Sequence, residues 1–279
     1  MTDRKPIAQT ITGCSFIALL LSGCTVGGNE HDAADTDTTS GSSPAETTLT
    51  RIDDRGTVRI CTTGDYRPFT FRDPETKKWS GIDIDMAKDF AQRLAAKPKF
   101  VQTTWADFTT TMQKDCDIGM GGLSINTERA SQLYMSDATV QDGKTPITLC
   151  ENKSRYDSVK KINDEAVDVI TPVGGTNEDF AEDNFPDANV IKWDDNNTIF
   201  DQIIAGDADV MVTDAPETKW VAHTEKELCA VNPGKPLSFS EQGYAVRFGD
   251  EEMLQYVNTW LNIAKNDGTY DKAEESWFG

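Results

Sequence analysis

The sequence predicts an α/β fold of two lobes, with a parallel-rich sheet in each lobe and a cleft between them. Short β-branched runs alternate with segments that carry apolar residues at helical spacing, which is typical of parallel sheets covered by helices. Two short segments that are polar or contain glycine, 142–146 and 239–244, divide the chain and are candidate hinge crossings. We therefore expect lobe 1 to comprise 50–146 plus 241–279 and lobe 2 to comprise 147–240, with closure on a ligand by hinge motion.

The individual elements follow from the same two patterns. In lobe 1 they predict strands at 58–62, 99–103 and 117–122 and helices at 84–96 and 107–114. In lobe 2 they predict strands at 167–172, 190–193 and 208–213 and helices from about Asn177 and at 198–205. Apolar residues along 251–265 predict a last amphipathic helix. Asp83 and Asp85 are interpreted as helix-entry residues, which are favoured near a helix N-terminus.

The N-terminus indicates export. Two basic residues precede an apolar run at 11–21 that is too short to span a bilayer, as in a secretory signal peptide. The run ends in Leu21-Ser22-Gly23-Cys24, which resembles the lipobox of bacterial lipoproteins. That resemblance implies a signal peptide at 1–23, a lipidated Cys24, and anchoring to a membrane in the periplasm or at the outer cell surface. A plain secretory signal with a coincidental cysteine is the alternative. The Ser, Thr, Gly and Asp composition of 24–49 predicts a flexible tether.

Composition excludes several classes of function. The formal net charge is −20, with 47 acidic against 27 basic residues, so the Lys and Arg clusters that nucleic-acid binding requires are not expected. The acidic residues are scattered, which is typical of a solvated surface. With two histidines in the chain, a Ser-His-Asp triad or a histidine-rich metal site is disfavoured. We expect a small-molecule ligand, no nucleic acid, no metal and no cofactor.

Four cysteines follow the tether, and an exported protein permits disulfides. Cys150 and Cys229 lie near the two edges of the same central segment, so we expect them to pair. Cys61 ends a predicted strand and Cys116 begins another. If those strands are parallel neighbours, the two cysteines are about 10 Å out of register, which is too far for a bridge. Their pairing is left open.

The segment Gly174-Gly175-Thr176-Asn177-Glu178 predicts an anion-binding turn. Its glycines allow a sharp turn close to a ligand, and Thr176 or Asn177 can cap the following helix, whose free N–H groups favour a carboxylate. Glu178 is unexpected there, because an anion site gains nothing from a second negative charge. It either points to solvent, stabilised by the helix dipole, or acts on the bound molecule.

Three motifs resemble the polar-amino-acid family of periplasmic solute-binding proteins, which implies the periplasmic binding protein type II fold. They are Gly81-Ile82-Asp83-Ile84-Asp85, Gly122-Leu123-Ser124 with Glu128-Arg129, and Ala208-Asp209 leading to Thr213-Asp214. The resemblance implies that Arg129 and Ser124 bind the ligand carboxylate, that Tyr66 packs on the ligand, and that Asp214 holds its amino group. Arg129 as a surface ion-pair residue and Asp214 as a helix cap before Pro216 are the alternatives.

Four further blocks resemble the exported cyclohexadienyl dehydratases, a family of enzymes on the same fold. The blocks are Cys61–Tyr66, Asp142–Thr148, Gly174–Glu178 and Asn197–Asp201. The family converts prephenate to phenylpyruvate or arogenate to phenylalanine with no cofactor, because the new aromatic ring drives the loss of CO2 and water. The resemblance implies Glu178 as the catalytic acid that protonates the departing hydroxyl.

The remaining site residues have two interpretations each. Trp105 is either an apolar wall against the substrate ring, together with Tyr66, or a core residue. Lys144 either neutralises substrate charge or has a structural role at the hinge, and the amides near Thr176 and Asn177 could bind a carboxylate. The alternative function is a lipid-anchored receptor that delivers an amino acid to an ATP-driven importer, with an ABC permease as partner. The preference between prephenate and arogenate is left open.

Overall fold

The computed structural model describes residues 46–278. The predicted signal peptide, the lipidation site Cys24 and most of the tether lie outside the described residues. The strands are, in order, β1 (Thr57–Thr62), β2 (Asp65–Tyr66), β3 (Thr70–Arg72), β4 (Trp79–Ser80), β5 (Lys97–Gln102), β6 (Ile118–Ser124), β7 (Leu133–Met135), β8 (Val140–Asp142), β9 (Lys144–Leu149), β10 (Asp168–Pro172), β11 (Asn189–Trp193), β12 (Val210–Asp214), β13 (Leu228–Ala230) and β14 (Ser240–Arg247).

The α-helices lie between these strands and at the two ends of the described chain. They are α1 (Thr48–Arg55), α2 (Ile82–Arg93), α3 (Phe108–Asp115), α4 (Thr127–Ala130), α5 (Val159–Ile162), α6 (Thr176–Asn184), α7 (Ile199–Ala205), α8 (Ala215–Thr224), α9 (Glu251–Asn266) and α10 (Thr269–Phe278). Within 46–278, no helix has the length and apolar content needed to cross a membrane.

Two large sheets organise the molecule, as predicted, and β2, β3 and β4 form a third, small antiparallel sheet. The first large sheet has the order β5-β1-β6-β14-β7, with β8 beside β14, and the second has the order β11-β10-β12-β9-β13. In each large sheet three neighbouring strands are parallel and the others are antiparallel, so these sheets are mixed rather than parallel-rich. The antiparallel strands include β9 and β14, which follow directly after the chain passes from one sheet to the other.

The chain leaves the first sheet at Gly143, between β8 and β9, and returns between β13 and β14. The two crossings touch, because the amide of Leu237 donates to the carbonyl of Lys144 at 2.7 Å. A Cβ added at Gly143 would lie 1.7 Å from the carbonyl oxygen of Ser238, so only glycine allows this approach. The exact lobe boundaries at 146/147 and 240/241 stay a prediction.

The last residues of the predicted tether are helical, which corrects its boundary. Thr47 caps α1 through a capping box with Thr50, so two backbone N–H groups at the helix start are satisfied by side chains. Ile52 on this helix is buried in the core of the first lobe. This threonine-rich segment therefore begins a helix, because threonine hydroxyl groups can cap the first backbone N–H groups.

Both disulfides lie within the described residues. Cys150 pairs with Cys229, as predicted, with 4.8 Å between their Cα atoms. Cys61 also pairs with Cys116, with 5.6 Å between Cα atoms, so the argument that their register forbids a bridge is wrong. Cys61 does lie opposite Gly119 in the sheet. However, Cys116 precedes β6 at the end of α3, and the helix packs against the sheet and brings the two sulfurs together.

Removal of the Cys61–Cys116 bridge should lower the free energy of unfolding by about 2–4 kcal/mol, because its 55-residue loop closure constrains the unfolded chain. The double variant Cys61→Ala, Cys116→Ala is compared with Cys150→Ala, Cys229→Ala by denaturant unfolding. The first should lose more stability, since both its sulfurs are fully buried while Cys150 is exposed. Equal or smaller losses for the buried pair would contradict this ranking.

Candidate active site

A small cavity lies between the two sheets. Residues from both sheets and from the segments next to them line the cavity. They are Tyr66, Trp105, Gly122, Ser124, Pro172, Gly174, Gly175, Thr176, Asn177, Asn196 and Asp214. Six residues named from the sequence as ligand-binding are among them: Tyr66, Trp105, Ser124, Thr176, Asn177 and Asp214. A buried concave site with a few converging polar groups is typical of small-molecule binding.

The first sheet presents the end of β6 to the cavity. Gly122 has a φ of +67°, and a Cβ there would lie 2.6 Å from the ring of Tyr66, so glycine allows the aromatic ring to pack on the strand. The Gly122 amide donates to Asp83 Oδ2 at 2.7 Å, and Tyr244 donates to Asp83 Oδ1 at 2.9 Å. Burial raises the pKa of Asp83 to about 6. Asp83 thus supports the cavity backbone and is more than a helix-entry residue.

The second sheet presents the turn before α6. Gly175 takes the N-cap position with a φ of +81°, and neither Thr176 nor Asn177 caps the helix as the sequence predicted. With glycine at the cap, both side chains are directed elsewhere. Thr176 Oγ1 lies 3.1 Å from Ser124 Oγ on the other side of the cavity, and Asn177 donates to Thr213 Oγ1 at 2.9 Å. The turn therefore brings the side chains of Thr176 and Asn177 to the cavity.

A buried ion pair joins Asp214, which lines the cavity, to Lys144, which is not part of the lining. Lys144 Nζ is 2.9 Å from Asp214 Oδ1, and both side chains are almost fully buried. The angle at this contact is outside hydrogen-bond geometry, but the attraction between two charges depends on their separation, so we treat the contact as an ion pair. Tyr66 donates to Asp214 Oδ2 at 2.6 Å, joining the two lobes. Asp214 is at the N-cap position of α8 but makes no side-chain capping bond.

Arg129 is not part of the cavity lining but lies next to Ser124, which is. Its guanidinium is buried and donates from Nη1 to the carbonyl of Ser124 at 2.8 Å. Among residues 46–278, no carboxylate lies within ion-pair distance of it. Burial lowers the pKa of the Arg129 guanidinium, and the charge of Asp214 opposes that shift. A buried cation without an anionic partner favours binding of an anion.

Glu178 follows the cavity turn but does not line the cavity. Its carboxylate accepts a hydrogen bond from the Gly174 amide and forms an ion pair with Lys192, which also pairs with Glu182 at 2.7 Å. Burial alone would raise the pKa of Glu178, but the hydrogen bonds from Lys192 and Gly174 outweigh it, and the pKa lies below its usual value. In this arrangement Glu178 is ionised. Its catalytic role stays a prediction.

Sequence reasoning missed several residues near the site. Asn196 lines the cavity and donates to the carbonyl of Asp65 across the lobes at 2.8 Å. The sequence did contain a signal for Asn196, because this residue immediately precedes the block Asn197–Asp201. Glu217 is fully buried and accepts a 2.6 Å hydrogen bond from Thr213, and burial raises its pKa to about 8. Nothing in the sequence distinguishes Glu217 from an ordinary residue in the first turn of a helix.

The arrangement suits an anionic ligand with an apolar ring. Trp105 and Tyr66 meet edge to face with ring centroids 5.4 Å apart and form one aromatic wall. Arg129 and Lys144 bring two positive charges near the cavity, against the one ion-paired carboxylate of Asp214. Hydroxyl and amide groups of Ser124, Thr176 and Asn177 provide neutral hydrogen bonds. Such a site can bind a carboxylate, orient a ring beside it and exclude water.

Comparison with known proteins gives three kinds of match. The family model of the bacterial extracellular solute-binding proteins, family 3, matches residues 58–279. A cyclohexadienyl dehydratase from Pseudomonas aeruginosa is 42% identical over 233 residues, covering 83% of this chain and 86% of that protein.

Two crystal structures of ancestral proteins are similar to this one. One is an ancestral amino acid-binding protein described as a precursor of cyclohexadienyl dehydratase; it is 36% identical with a TM-score of 0.77, covering 84% of this chain and 100% of that one. The other is an ancestral cyclohexadienyl dehydratase, 41% identical with a TM-score of 0.53, covering 84% of this chain and 97% of that one. Both an enzyme and a binding protein therefore share this fold.

Proposed function

The chain belongs to the bacterial extracellular solute-binding proteins, family 3, and from this premise we propose that it is a cyclohexadienyl dehydratase. It is a lyase that removes CO2 and water from prephenate, from arogenate, or from both. Identity to a known dehydratase over most of both chains supports this assignment. The observation that carries it is the turn 174–178, whose first four residues line the cavity while its fifth, Glu178, lies at the cavity margin with its carboxylate on the Gly174 amide.

The chemistry needs a proton donor and a rigid site. The bond between the ring carbon and its carboxylate breaks and releases CO2, and its electron pair moves into the ring. The bond to the ring hydroxyl breaks at the opposite carbon, and Glu178 gives that oxygen a proton so that it leaves as water. General acid catalysis of this type contributes about 10²–10⁴-fold. Arg129 and Ser124 bind a substrate carboxylate, and Tyr66 with Trp105 holds the ring.

Glu178 must be protonated before it can act. Its partner Lys192 is half exposed on β11, and such a side chain can move away at modest cost. A dianionic substrate places negative charge next to Glu178, and closure of the cleft removes water from it; both effects raise a carboxyl pKa. Substrate binding thus reverses the preference for the ionised form. The acid is formed in the complex rather than in the free protein.

We place the protein outside the cytoplasm, attached to a membrane through lipid on Cys24. The family consists of extracellular proteins, which supports export. Two disulfides also fit an oxidising compartment. Several acyl chains on one cysteine give firm anchoring, whereas a single chain is marginal. Residues 24–47 would then separate the folded part from the membrane surface.

The purified protein should release phenylpyruvate from prephenate at a rate well above the spontaneous reaction. Phenylpyruvate is measured by its absorbance in alkali, with heat-denatured protein as the background. Because the protein itself supplies the proton donor, Glu178, and the carboxylate-binding groups, Arg129 and Ser124, added metal or cofactor should not change the rate. Absence of release above background would overturn the assignment.

An amino-acid receptor for an ABC importer is the second candidate. The similarity to an ancestral amino acid-binding protein favours it, as does the carboxylate of Asp214 in the cavity lining. On that assignment, titration calorimetry would show tight binding of an amino acid that is recovered unchanged. The two candidates are therefore separated by one protein preparation tested with prephenate and with a set of amino acids.

A further inference from the structure

We propose that Asn196 binds the ring hydroxyl of the substrate by accepting a hydrogen bond from it through Oδ1. Asn196 lines the cavity and is 3% exposed, and none of the sequence motifs assigns it a role. The inference rests on the proposed function, because it names the substrate group that this residue recognises. It does not depend on which residue gives the proton to the departing oxygen.

The position of Asn196 is fixed on both sides of the cleft. Asn196 begins a short 3-10 helix after β11, and the side chain of Asp195 caps this helix by accepting a hydrogen bond from the amide of Asn197 at 3.0 Å. Its own side chain crosses the cleft, where Nδ2 donates to the carbonyl of Asp65 at 2.8 Å. The backbone and the side-chain amide of Asn196 are therefore both held in place beside the cavity.

The contact with Asp65 decides which way the side-chain amide faces. Only the NH2 group can donate to a carbonyl oxygen, so Nδ2 faces Asp65 and Oδ1 faces away from it. Oδ1 is buried and accepts no hydrogen bond from any group among residues 46–278. A buried acceptor without a donor is unfavourable, and it favours a ligand that brings one.

One other buried side-chain acceptor in the cavity lining has no hydrogen-bond donor among residues 46–278, namely Asp214 Oδ1. That oxygen is charged and lies 2.9 Å from the ammonium of Lys144, which balances it. Asn196 Oδ1 has no such neighbouring charge among the ion pairs of the described residues. It is therefore the neutral acceptor that the cavity offers to a ligand.

Prephenate can satisfy this acceptor in one way. Its two carboxylates and its ketone only accept hydrogen bonds at neutral pH, whereas the hydroxyl on the ring has an O–H group to donate. Arogenate has the same hydroxyl and adds an ammonium group, which gains more from a carboxylate than from a neutral amide oxygen. Asn196 therefore recognises the hydroxyl, which both substrates share and which leaves in both reactions.

The contact with Asn196 becomes stronger as the reaction proceeds. A hydroxyl that donates to Oδ1 keeps its lone pairs free for the incoming proton. Once that proton is added, the oxygen carries positive charge, and its hydrogen bond to Oδ1 becomes charge-assisted and roughly twice as strong. The C–O bond then breaks with both electrons on oxygen, and water leaves. Asn196 thus stabilises the transition state more than the bound substrate, which raises kcat.

Calorimetry with a matched pair of ligands tests the contact. The pair 4-hydroxyphenylpyruvate and phenylpyruvate differs by one O–H group, on the ring carbon that carries the hydroxyl in prephenate, and a phenol with a pKa of about 10 is neutral at pH 7. The wild-type protein should bind the hydroxylated ligand about 5-fold or more tightly, because the other ligand leaves a buried acceptor unpaired. Asn196→Ala should make the two dissociation constants about equal.

Asn197→Ala is the matched control. Asn197 is the next residue, carries the same side chain and accepts a hydrogen bond from Arg67 of the other lobe at 3.2 Å, but it is exposed and does not line the cavity. Loss of a contact between the lobes should weaken both ligands alike, so this variant should keep the wild-type ratio. An Asn196→Ala protein that also keeps that ratio would show a purely structural role and overturn the inference.

Two further measurements keep the test decisive. Asn196→Leu fills a similar volume and replaces Asn196→Ala if the alanine variant does not fold, and a wild-type protein that binds both ligands equally overturns the inference by itself. In turnover, either variant should lower kcat/KM for prephenate and for arogenate by the same factor, about 10-fold or more, the effect of losing a hydrogen bond to a charged group. A loss confined to one substrate would contradict recognition of the shared hydroxyl.

Failure of the proposed function would remain distinguishable from failure of this inference. If the wild-type protein leaves both prephenate and arogenate unchanged, the assignment as an enzyme is refuted. The hydroxyl contact is then measured with L-tyrosine and L-phenylalanine, which differ by the same O–H group. Tighter binding of L-tyrosine that is lost in Asn196→Ala supports the role of Asn196, and equal binding or none refutes it.

Discussion

Glu178→Gln should lower kcat for prephenate by about 10²–10⁴-fold and change KM little, because glutamine keeps the shape of the side chain but has no proton to give. The Gly174 amide can still donate to the amide oxygen of glutamine, so the turn should persist. Steady-state kinetics with an unfolding curve for each protein checks both statements. Full activity in the variant would remove Glu178 from the acid role, whatever the wild-type protein catalyses.

The pH profile gives a second view of the same residue. Lys192 stabilises the ionised form of Glu178, so the pKa of Glu178 in the free protein lies below its usual value. The value of kcat/KM should therefore fall as pH rises above that pKa. Lys192→Met removes that cation, raises the pKa and should move the descending limb to higher pH. Glu182→Gln is the matched control, because Glu182 contacts the same lysine from an exposed position and is not an acid in the proposal. A Lys192→Met profile that superimposes on the wild-type one would contradict the role of Glu178.

The stability contribution of Glu178 depends on pH in the opposite direction from the activity. A carboxyl group with a lowered pKa contributes stability above the pKa of the unfolded chain, and the contribution is lost as pH falls through the folded value. Because Lys192 is half exposed, that contribution is at most about 1 kcal/mol. Lys192→Met should therefore change activity against pH much more than it changes stability. The two measurements separate an electrostatic role from a structural one.

The fold was predictable where a segment carries its own periodic signal. The strand of β1, the helices α3 and α7 and the long helix α9 agree with the patterns in the sequence to within one residue at each end. The strands β2, β3 and β4 were missed because two or three residues are too few for a period. The Cys61–Cys116 bridge was misjudged for another reason. A register argument treats Cys116 as part of the sheet, whereas it belongs to the end of a helix packed on it.

Part of the cavity lining was predictable from the sequence, but the partners of the charged side chains were not. Glycines at the turn and hydroxyl groups at strand ends are local signals, and they placed Ser124 and Thr176 in the cavity correctly. What the sequence does not contain is the partner of each charge. Glu178 meets Lys192 through the pairing of β10 with β11, which positions that lysine next to α6. Since these contacts decide protonation, the chemistry of the site depends on tertiary structure that local patterns do not describe.

Arg129→Met should raise KM for prephenate by about 100-fold or more. Hydrogen bonds to a charged group contribute about 1.5–3 kcal/mol each, and a guanidinium can make two of them to one carboxylate. Arg129→Lys keeps the charge but not the paired geometry, so it should recover only part of the lost affinity. Michaelis kinetics of the three proteins gives the order wild type, Arg129→Lys, Arg129→Met in increasing KM.

The stability of Arg129→Met distinguishes substrate binding from a structural role of the same residue. In the free protein the buried guanidinium has one hydrogen bond, to Ser124, and no carboxylate among residues 46–278 balances its charge. Replacing such a cation with an apolar side chain removes a desolvation cost, which offsets the loss of that hydrogen bond. The free energy of unfolding should therefore change by less than about 2 kcal/mol while affinity falls steeply. A large loss of stability with an unchanged KM would mean that Arg129 supports the end of β6 and that another group binds the carboxylate.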